Sequence, residues 1–200
     1  MSSFRFFAIA CLSVAAGGCA TTHVETSGSV GRQQAVCEAS GEHFSGLVLW
    51  WPQWRPDQKD VALREAAAQQ GLEQFFAESQ CFSKVKLLRP GIGDLAGGVS
   101  DQEALRLAQA SPLIADKVII IKVRELGPVV KLLASLRLVE GGTEVVLDTR
   151  VLDVRTGALI GDRQTHWKNG GAFVVKGVQT LDQDMRSALQ AAFASGIVRE

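Results

Sequence analysis

The sequence predicts an α/β domain: a mixed sheet with a parallel βαβαβ core, followed by an antiparallel meander and a C-terminal helix. Three observations predict it. Short strand-like runs at 46–51, 82–88 and 117–123 alternate with segments of helical period, the pattern of buried parallel strands joined by crossover helices. Beyond residue 130 the pattern changes to alternating apolar and polar residues punctuated by Gly-Gly and Thr-Gly pairs, which reads as antiparallel strands with one polar face. Finally, Leu181, Met185, Leu189, Ala192 and Phe193 recur at helical spacing and give a last helix one apolar stripe to pack on the sheet.

Each element has its own signal. Residues 46–51 form an apolar run closed by Pro52, so a buried strand ends there and a loop begins. After Pro56 and Asp57, a plausible helix start, residues 59–79 are rich in Ala, Gln and Glu and place Val61, Ala68, Leu72, Phe75 and Phe76 on one face of an amphipathic helix. Arg89-Pro90 stops the strand at 82–88, and Ser100-Asp101-Gln102-Glu103 is a capping box that opens a helix to about Ala110. Residues 117–123 supply the third strand. In 131–139, Leu132, Ala134, Leu136 and Leu138 alternate with Lys131, Ser135 and Arg137; Gly141-Gly142 is the expected turn, and 144–154 the returning strand. Asp153-Val154-Arg155-Thr156-Gly157 is a second turn, leading to a strand over about 158–167.

The amino-terminal residues read differently. Arg5 precedes an apolar run from Phe6 to Ala16, too short to span a bilayer as a helix and of the length of a secretory h-region. Ala16-Gly17-Gly18-Cys19 then resembles the cleavage box of bacterial lipoproteins, in which small residues precede a cysteine that is lipidated and becomes the new amino terminus. The expected organisation is a signal peptide at 1–18, a lipid anchor and flexible tether at 19–35, and a single periplasmic domain at 36–200. Thr21 to Gly31, rich in Thr, Ser and Gly, supplies the tether. Ala20 rather than Asp after the cysteine resembles the sorting signal for an outer membrane.

Cysteine usage follows from that reading. Cys11 leaves with the signal and Cys19 takes the lipid, so Cys37 and Cys81 remain as a pair in an oxidising compartment and are expected to form a disulfide. It would close a loop of about 45 residues and contribute roughly 3–4 kcal/mol. Neither cysteine has a CxxC partner or a histidine at metal spacing, so redox catalysis and zinc are both poorly supported.

Composition and motifs narrow the function class. A formal net charge of zero with 21% charged residues lacks the basic excess of nucleic-acid binders. Histidine occurs only at His23, His43 and His166: in the tether, in the approach to the first strand, and on a meander face shared with Asp162 and Gln164, where solvation is the simpler role. No Gly-x-Ser-x-Gly elbow, Walker loop or His-Glu-x-x-His is present, so no catalytic residue, metal or cofactor is assigned. The glycine-rich run at 91–98 follows a strand and precedes a helix, but its third glycine is displaced by one residue and Pro90 precedes it; it reads as a connector. Asp94 and Asp101 are then a loop acid and a first-turn acid favoured by the helix dipole.

The four tryptophans are unevenly placed. Trp50, Trp51 and Trp54 crowd into Leu-Trp-Trp-Pro-Gln-Trp-Arg-Pro. Neighbours on a strand point to opposite faces, so Trp50 and Trp51 are both core if helices cover both sides of the sheet. Trp54 lies between Pro52 and Pro56, beyond the strand's carboxyl end, where Arg55 could stack beside it; a partner-facing or membrane-facing role stands against simple packing. Trp167 ends the meander beside Lys168-Asn169-Gly170-Gly171, which reads as a loop tip. Trp54, Arg55 and Trp167 are the candidate interaction surface.

Gly46-Leu47-Val48-Leu49, Ala115-Asp116-Lys117-Val118-Ile119 and Leu152-Asp153-Val154-Arg155-Thr156-Gly157, in this order of elements, resemble one superfamily. It is the periplasmic domain shared by the curli-secretion channel lipoprotein, the amino-terminal domain of the Tol-Pal translocation protein, and lipoprotein activators of peptidoglycan synthases. The resemblance implies a non-enzymatic outer-membrane lipoprotein that faces the periplasm and docks onto envelope proteins or its own copies, first of all in a secretion or export complex. The alternatives are a monomeric regulator of a cell-wall synthase and a small-ligand or lipid-transport accessory protein.

Overall fold

The computed structural model describes residues 20–28, 43–91, 98–133, 138–172 and 174–193. They form one six-stranded mixed sheet with three helices. In chain order the elements are β1 (Thr21–Gly28), β2 (Phe44–Pro52), α1 (Val61–Glu78), β3 (Phe82–Leu88), α2 (Asp101–Ala110), β4 (Lys117–Leu133), β5 (Leu138–Asp153), β6 (Leu159–Ala172) and α3 (Leu181–Phe193). Across the sheet the order is β1-β6-β5-β4-β2-β3.

The parallel core is as expected. β2 pairs in parallel with β3 on one side and with β4 on the other. Because the two crossovers travel in opposite directions from strand to strand, a common right hand places α1 and α2 on opposite faces. Two cores result. Val48, Trp50, Ile119 and Ile121 pack with Leu72 and Phe76 of α1 and Met185 and Leu189 of α3, whereas Leu47, Leu49, Trp51, Val118 and Ile120 pack with Ala104 and Ala108 of α2. The adjacent tryptophans of β2 are thus both buried, one in each core. Period-two alternation on a strand covered on both sides requires that division.

Local signals are realised at several helix positions. The Ser100 hydroxyl accepts a hydrogen bond from the Glu103 amide at 3.2 Å and caps α2. Ala68, Leu72, Phe75 and Phe76 are buried along α1, but Val61, expected on that face, is exposed because the helix begins there, above the packed region. Gly71 lies where α1 meets α3: a Cβ would stand 2.7 Å from the Asp182 carbonyl oxygen and 2.7 Å from the Met185 Cβ.

The meander departs from expectation in two places. β4 runs without interruption from 117 to 133, joining two expected strands, and Gly141-Gly142 lies inside β5 rather than at the turn. Pairing continues past those glycines to Leu133↔Leu138, and 134–137 lie outside the described residues. The glycines answer a different demand: a Cβ at Gly141 would strike the Val174 carbonyl, and one at Gly142 the Asn169 carbonyl. The second correction is at the amino-terminal side. Thr21–Gly28, expected within a flexible tether, is β1, paired antiparallel with β6 from Thr21↔Gly170 to Gly28↔Arg163. Thr, Val and Thr suit an edge strand, and pairing satisfies one row of their backbone groups.

At the second turn, the Asp153 carboxylate accepts from the Thr156 amide at 2.8 Å and hydroxyl at 2.9 Å, and pairs with Lys117 at 2.9 Å; Gly157 supplies the left-handed residue, at φ 70°. The Lys117 ammonium, then the Thr156 amide and hydroxyl, hold Asp153 far below the usual carboxylate range.

Two outcomes are expected. Gly71→Ala should destabilise the protein by about 1–3 kcal/mol through overpacking, read as a lower urea midpoint at unchanged slope. Asp153→Ala should cost about 1–2 kcal/mol at pH 7. Because the folded carboxyl titrates below the unfolded one, its contribution is complete above the ordinary value near about 4 and fades as pH falls further. Denaturant titrations of both proteins should therefore converge toward acid; a constant gap would exclude the ionised carboxylate as the cause.

Candidate functional site

The sheet's coverage is uneven, and that unevenness exposes the candidate site. α1 and α3 cover one face, whereas α2 covers only part of the other. Beyond α2, strands β4, β5, β6 and β1 present a charged surface. Lys122 pairs with Asp148 at 2.8 Å, Arg124 approaches the same carboxylate at 3.8 Å, and the Gln164 amide donates to it at 2.8 Å. Burial pushes the Asp148 carboxyl up, but the hydrogen bonds from Lys122 and Gln164 outweigh it and leave the group below its ordinary value. Arg150 bridges to α2, pairing with Asp101 at 2.8 Å and donating to the Val99 carbonyl at 2.6 Å.

Further along this face lies a trough of about 320 Å³ bordered by His23, Glu25, Glu140, Glu144, Lys168 and Val129. Its shape follows from the glycines Gly142 and Gly170, which lie on adjacent strands in register. Glu144 is hydrogen-bonded with His166 and lies 3.8 Å from Lys168, while His23 pairs with Glu25 at 3.0 Å. The His23 hydrogen bond and charge hold the Glu25 carboxyl below the usual range. Cations and carboxylates here pair with one another across strands, the ordinary chemistry of a solvated sheet face. Among the described residues no group of three or more His, Cys, Asp or Glu is placed to hold a metal ion.

The interaction residues expected from sequence separate. Trp167 is only 3% exposed, packed in the core under α3, so it is not a surface residue. The loop-tip expectation fails because β6 continues to Ala172, placing Trp167 inside a strand opposite Val145 and Val24. Trp54 is partly buried against the same core, and its indole N–H is buried with no acceptor among the described residues. Arg55 is turned to carboxylates, reaching Glu125 at 3.2 Å and Asp57 at 4.0 Å.

Sequence reasoning missed the group that organises this loop. Arg64 of α1 is buried; it donates to the carbonyls of Lys59, at 2.7 Å, and Leu126, and lies 3.6 Å from Glu125. Its guanidinium fills the space a Cβ of Gly127 would occupy. Gln58 donates to Glu125 at 3.0 Å as well. Glu125 follows a bulge in β4, and no pattern in the chain marks it as the partner of an arginine some sixty positions earlier.

Of the other expected sites, Cys37 and Asp94 lie outside the described residues, as do Cys19 and the centre of the glycine run, 92–97. Cys81 is half-buried at the entrance to β3 and is not a free thiol. Gly98 adopts a positive φ of 81° beside the Trp51 ring. His43 is exposed. No described helix is long and apolar enough to cross a membrane.

No protein-family model matches the chain, and no curated protein matches it. Among solved structures it is similar to PelC, seen as a dodecamer, from Paraburkholderia phytofirmans, with 14% identity and a TM-score of 0.45 over 88% of this chain and 100% of that one. It is also similar to the lipoprotein GNA1162 from Neisseria meningitidis, with 16% identity and a TM-score of 0.40 over 75% and 98% of the two chains. A hypothetical protein from Chlamydia trachomatis gives 14% identity and a TM-score of 0.44 over 74% and 91%. These likenesses assign neither a family nor an activity.

Proposed function

We propose that this protein is a non-enzymatic outer-membrane lipoprotein, anchored through Cys19 and facing the periplasm, which serves as a docking or assembly component of an envelope secretion or export complex. The observation that carries the reading is the apolar run before Ala16-Gly17-Gly18-Cys19, followed within two residues by a strand built into the sheet. An anchor so close to the fold suits a component held at the membrane more than a carrier on a long leash. The likeness of the 46–49, 115–119 and 152–157 pieces to the curli-secretion and peptidoglycan-synthase activator superfamily supports the same class. Partner contacts would use envelope proteins or further copies of this chain. The cross-strand pairs of the open face, Asp148 with Lys122 and Glu144 with Lys168, favour reversible polar docking.

A Cys37–Cys81 disulfide belongs to this proposal: it would tie the chain before β2 to the entrance of β3 in an oxidising compartment. Arg55 remains a candidate contact because it is exposed despite its carboxylate partners. Trp54 serves the loop more than a partner, given its packing against the core.

Mass spectrometry of the membrane-extracted protein should show Cys19 acylated, and Cys19→Ser should abolish fractionation with outer membranes; unmodified Cys19 in a membrane-free fraction would refute the anchor. The mass of the detergent-extracted protein, measured by light scattering, should exceed one chain. A monomer that also captures no envelope protein on crosslinking would remove the assembly role. Trp54→Ala should lower stability by about 1–3 kcal/mol, below the cost of truncating a fully buried aromatic. Arg55→Ala should leave stability nearly unchanged while weakening the multimer.

A further inference from the structure

We infer that β1 is a self-complementary edge: it pairs antiparallel with β1 of a second copy of this chain, about a two-fold axis at Val24, and joins two six-stranded sheets into one. The inference deepens the assembly role above, on which it rests for self-association, by naming the contact and the partner.

β1 ends the sheet, all eight of its residues are exposed, and among the described strands it pairs with β6 alone. Its outer row of N–H and C=O groups is a template for a further strand. Edges are ordinarily protected against such pairing by lysine, proline or a bulge. The opposite edge of this sheet is protected in that way: β3 carries Lys84 and Lys86, both exposed, and its register with β2 shifts at Phe44/Ser45. β1 has none of these devices. Thr21–Gly28 contains no Lys, Arg or Pro, and its pairing with β6 runs without a shift from Thr21↔Gly170 to Gly28↔Arg163.

The chemistry of β1 complements itself about Val24, with Thr-Thr-His before it and Glu-Thr-Ser after it. Antiparallel pairing centred there sets Val24 opposite the partner's Val24, His23 opposite the partner's Glu25, Thr22 opposite the partner's Thr26 and Thr21 opposite the partner's Ser27. On the open face, His23 and Glu25 already pair at 3.0 Å within one chain, so a second copy completes an alternating square of two imidazoles and two carboxylates. On the other face, Val24 is 42% exposed and continues the buried row Leu126, Val145 and Trp167, which lie opposite one another on β4, β5 and β6. The partner's Val24 extends that row and covers it. The charges also select the register. With both open faces on the same side, residues of equal parity must meet, and centring the pair on Glu25 or on His23 would set like groups against each other. A contact of this kind uses the same patch on both copies and closes at two chains.

The test uses the full-length protein extracted in detergent, with its mass read by light scattering across a dilution series. His23→Glu gathers four carboxylates about the axis and should weaken association several-fold. Combining it with Glu25→His should restore association, because unlike groups again meet across the axis. Val24→Cys should form an intermolecular disulfide under copper phenanthroline, since directly opposite residues lie about 4.5–5.5 Å apart at Cα. Ser27→Cys should not, because its two copies stand six positions apart, or about 20 Å. The parent protein, oxidised in parallel, subtracts any native thiol, and urea midpoints check that these exposed substitutions leave the fold intact. A multimer that survives His23→Glu and gives no crosslink at 24 would overturn this contact and leave the assembly role standing. Equal crosslinking at 24 and 27 would report collision without register and overturn it, as would a folded exchange variant that fails to reassociate. A monomer that still captures envelope proteins would overturn it and keep the docking role.

Discussion

β4 is the constraint on which the rest of the structure depends. It is the strand where the parallel and antiparallel halves of the sheet meet, paired with β2 on one side and β5 on the other. Its residues are buried on both faces: Ile119 and Ile121 lie beneath α1 and α3, Val118 and Ile120 beneath α2. A slip of one residue would exchange the two sets and leave each helix facing the wrong side chains, so this register is set by both cores at once.

The bulge between Val123 and Glu125 is part of the same constraint. It inserts one residue, so that Val123 and Leu126 both reach the α1 side although their numbering differs by an odd count. Without it, Leu126 would turn to the open face. The bulge also positions Glu125 for Arg64, Arg55 and Gln58, which together tie the loop after β2 and the start of α1 to β4. A buried arginine is costly to desolvate, and here two carbonyl acceptors and a carboxylate compensate it. Gly127 makes this possible by leaving room for the guanidinium.

The open face carries the opposite logic. Beyond α2, no described helix covers this face of β5, β6 and β1, and apolar side chains give way to cross-strand ion pairs. β1 extends that face by one strand while covering the edge of β6, leaving its own outer row of backbone groups as the new edge. Short, polar and rich in threonine, it brings the amino-terminal side of the chain back to the end from which the hairpin projects.

The sequence by itself determined the class of fold, because periodicity is a local property: the strands at 46–51 and 82–88, the capping box at Ser100, the α1 face from Ala68 to Phe76 and the α3 stripe were legible without any contact. That the two tryptophans of β2 point to opposite faces was readable on the same ground, whereas their burial depended on helices covering both faces. Tertiary structure decided what depends on neighbours distant in the chain. Gly141 and Gly142 look like a turn, yet they are small because other backbone segments press on them. Thr21–Gly28 looks like a linker and becomes a strand because β6 offers an unpaired edge. Trp167 looks like a loop tip and is core because α3 covers it, and Arg64, which no local pattern singles out, is buried because the β4 bulge supplies its partner. Each departure has one physical cause: the free energy of a side chain or a backbone group depends on what covers it, and that is fixed only when the sheet is assembled.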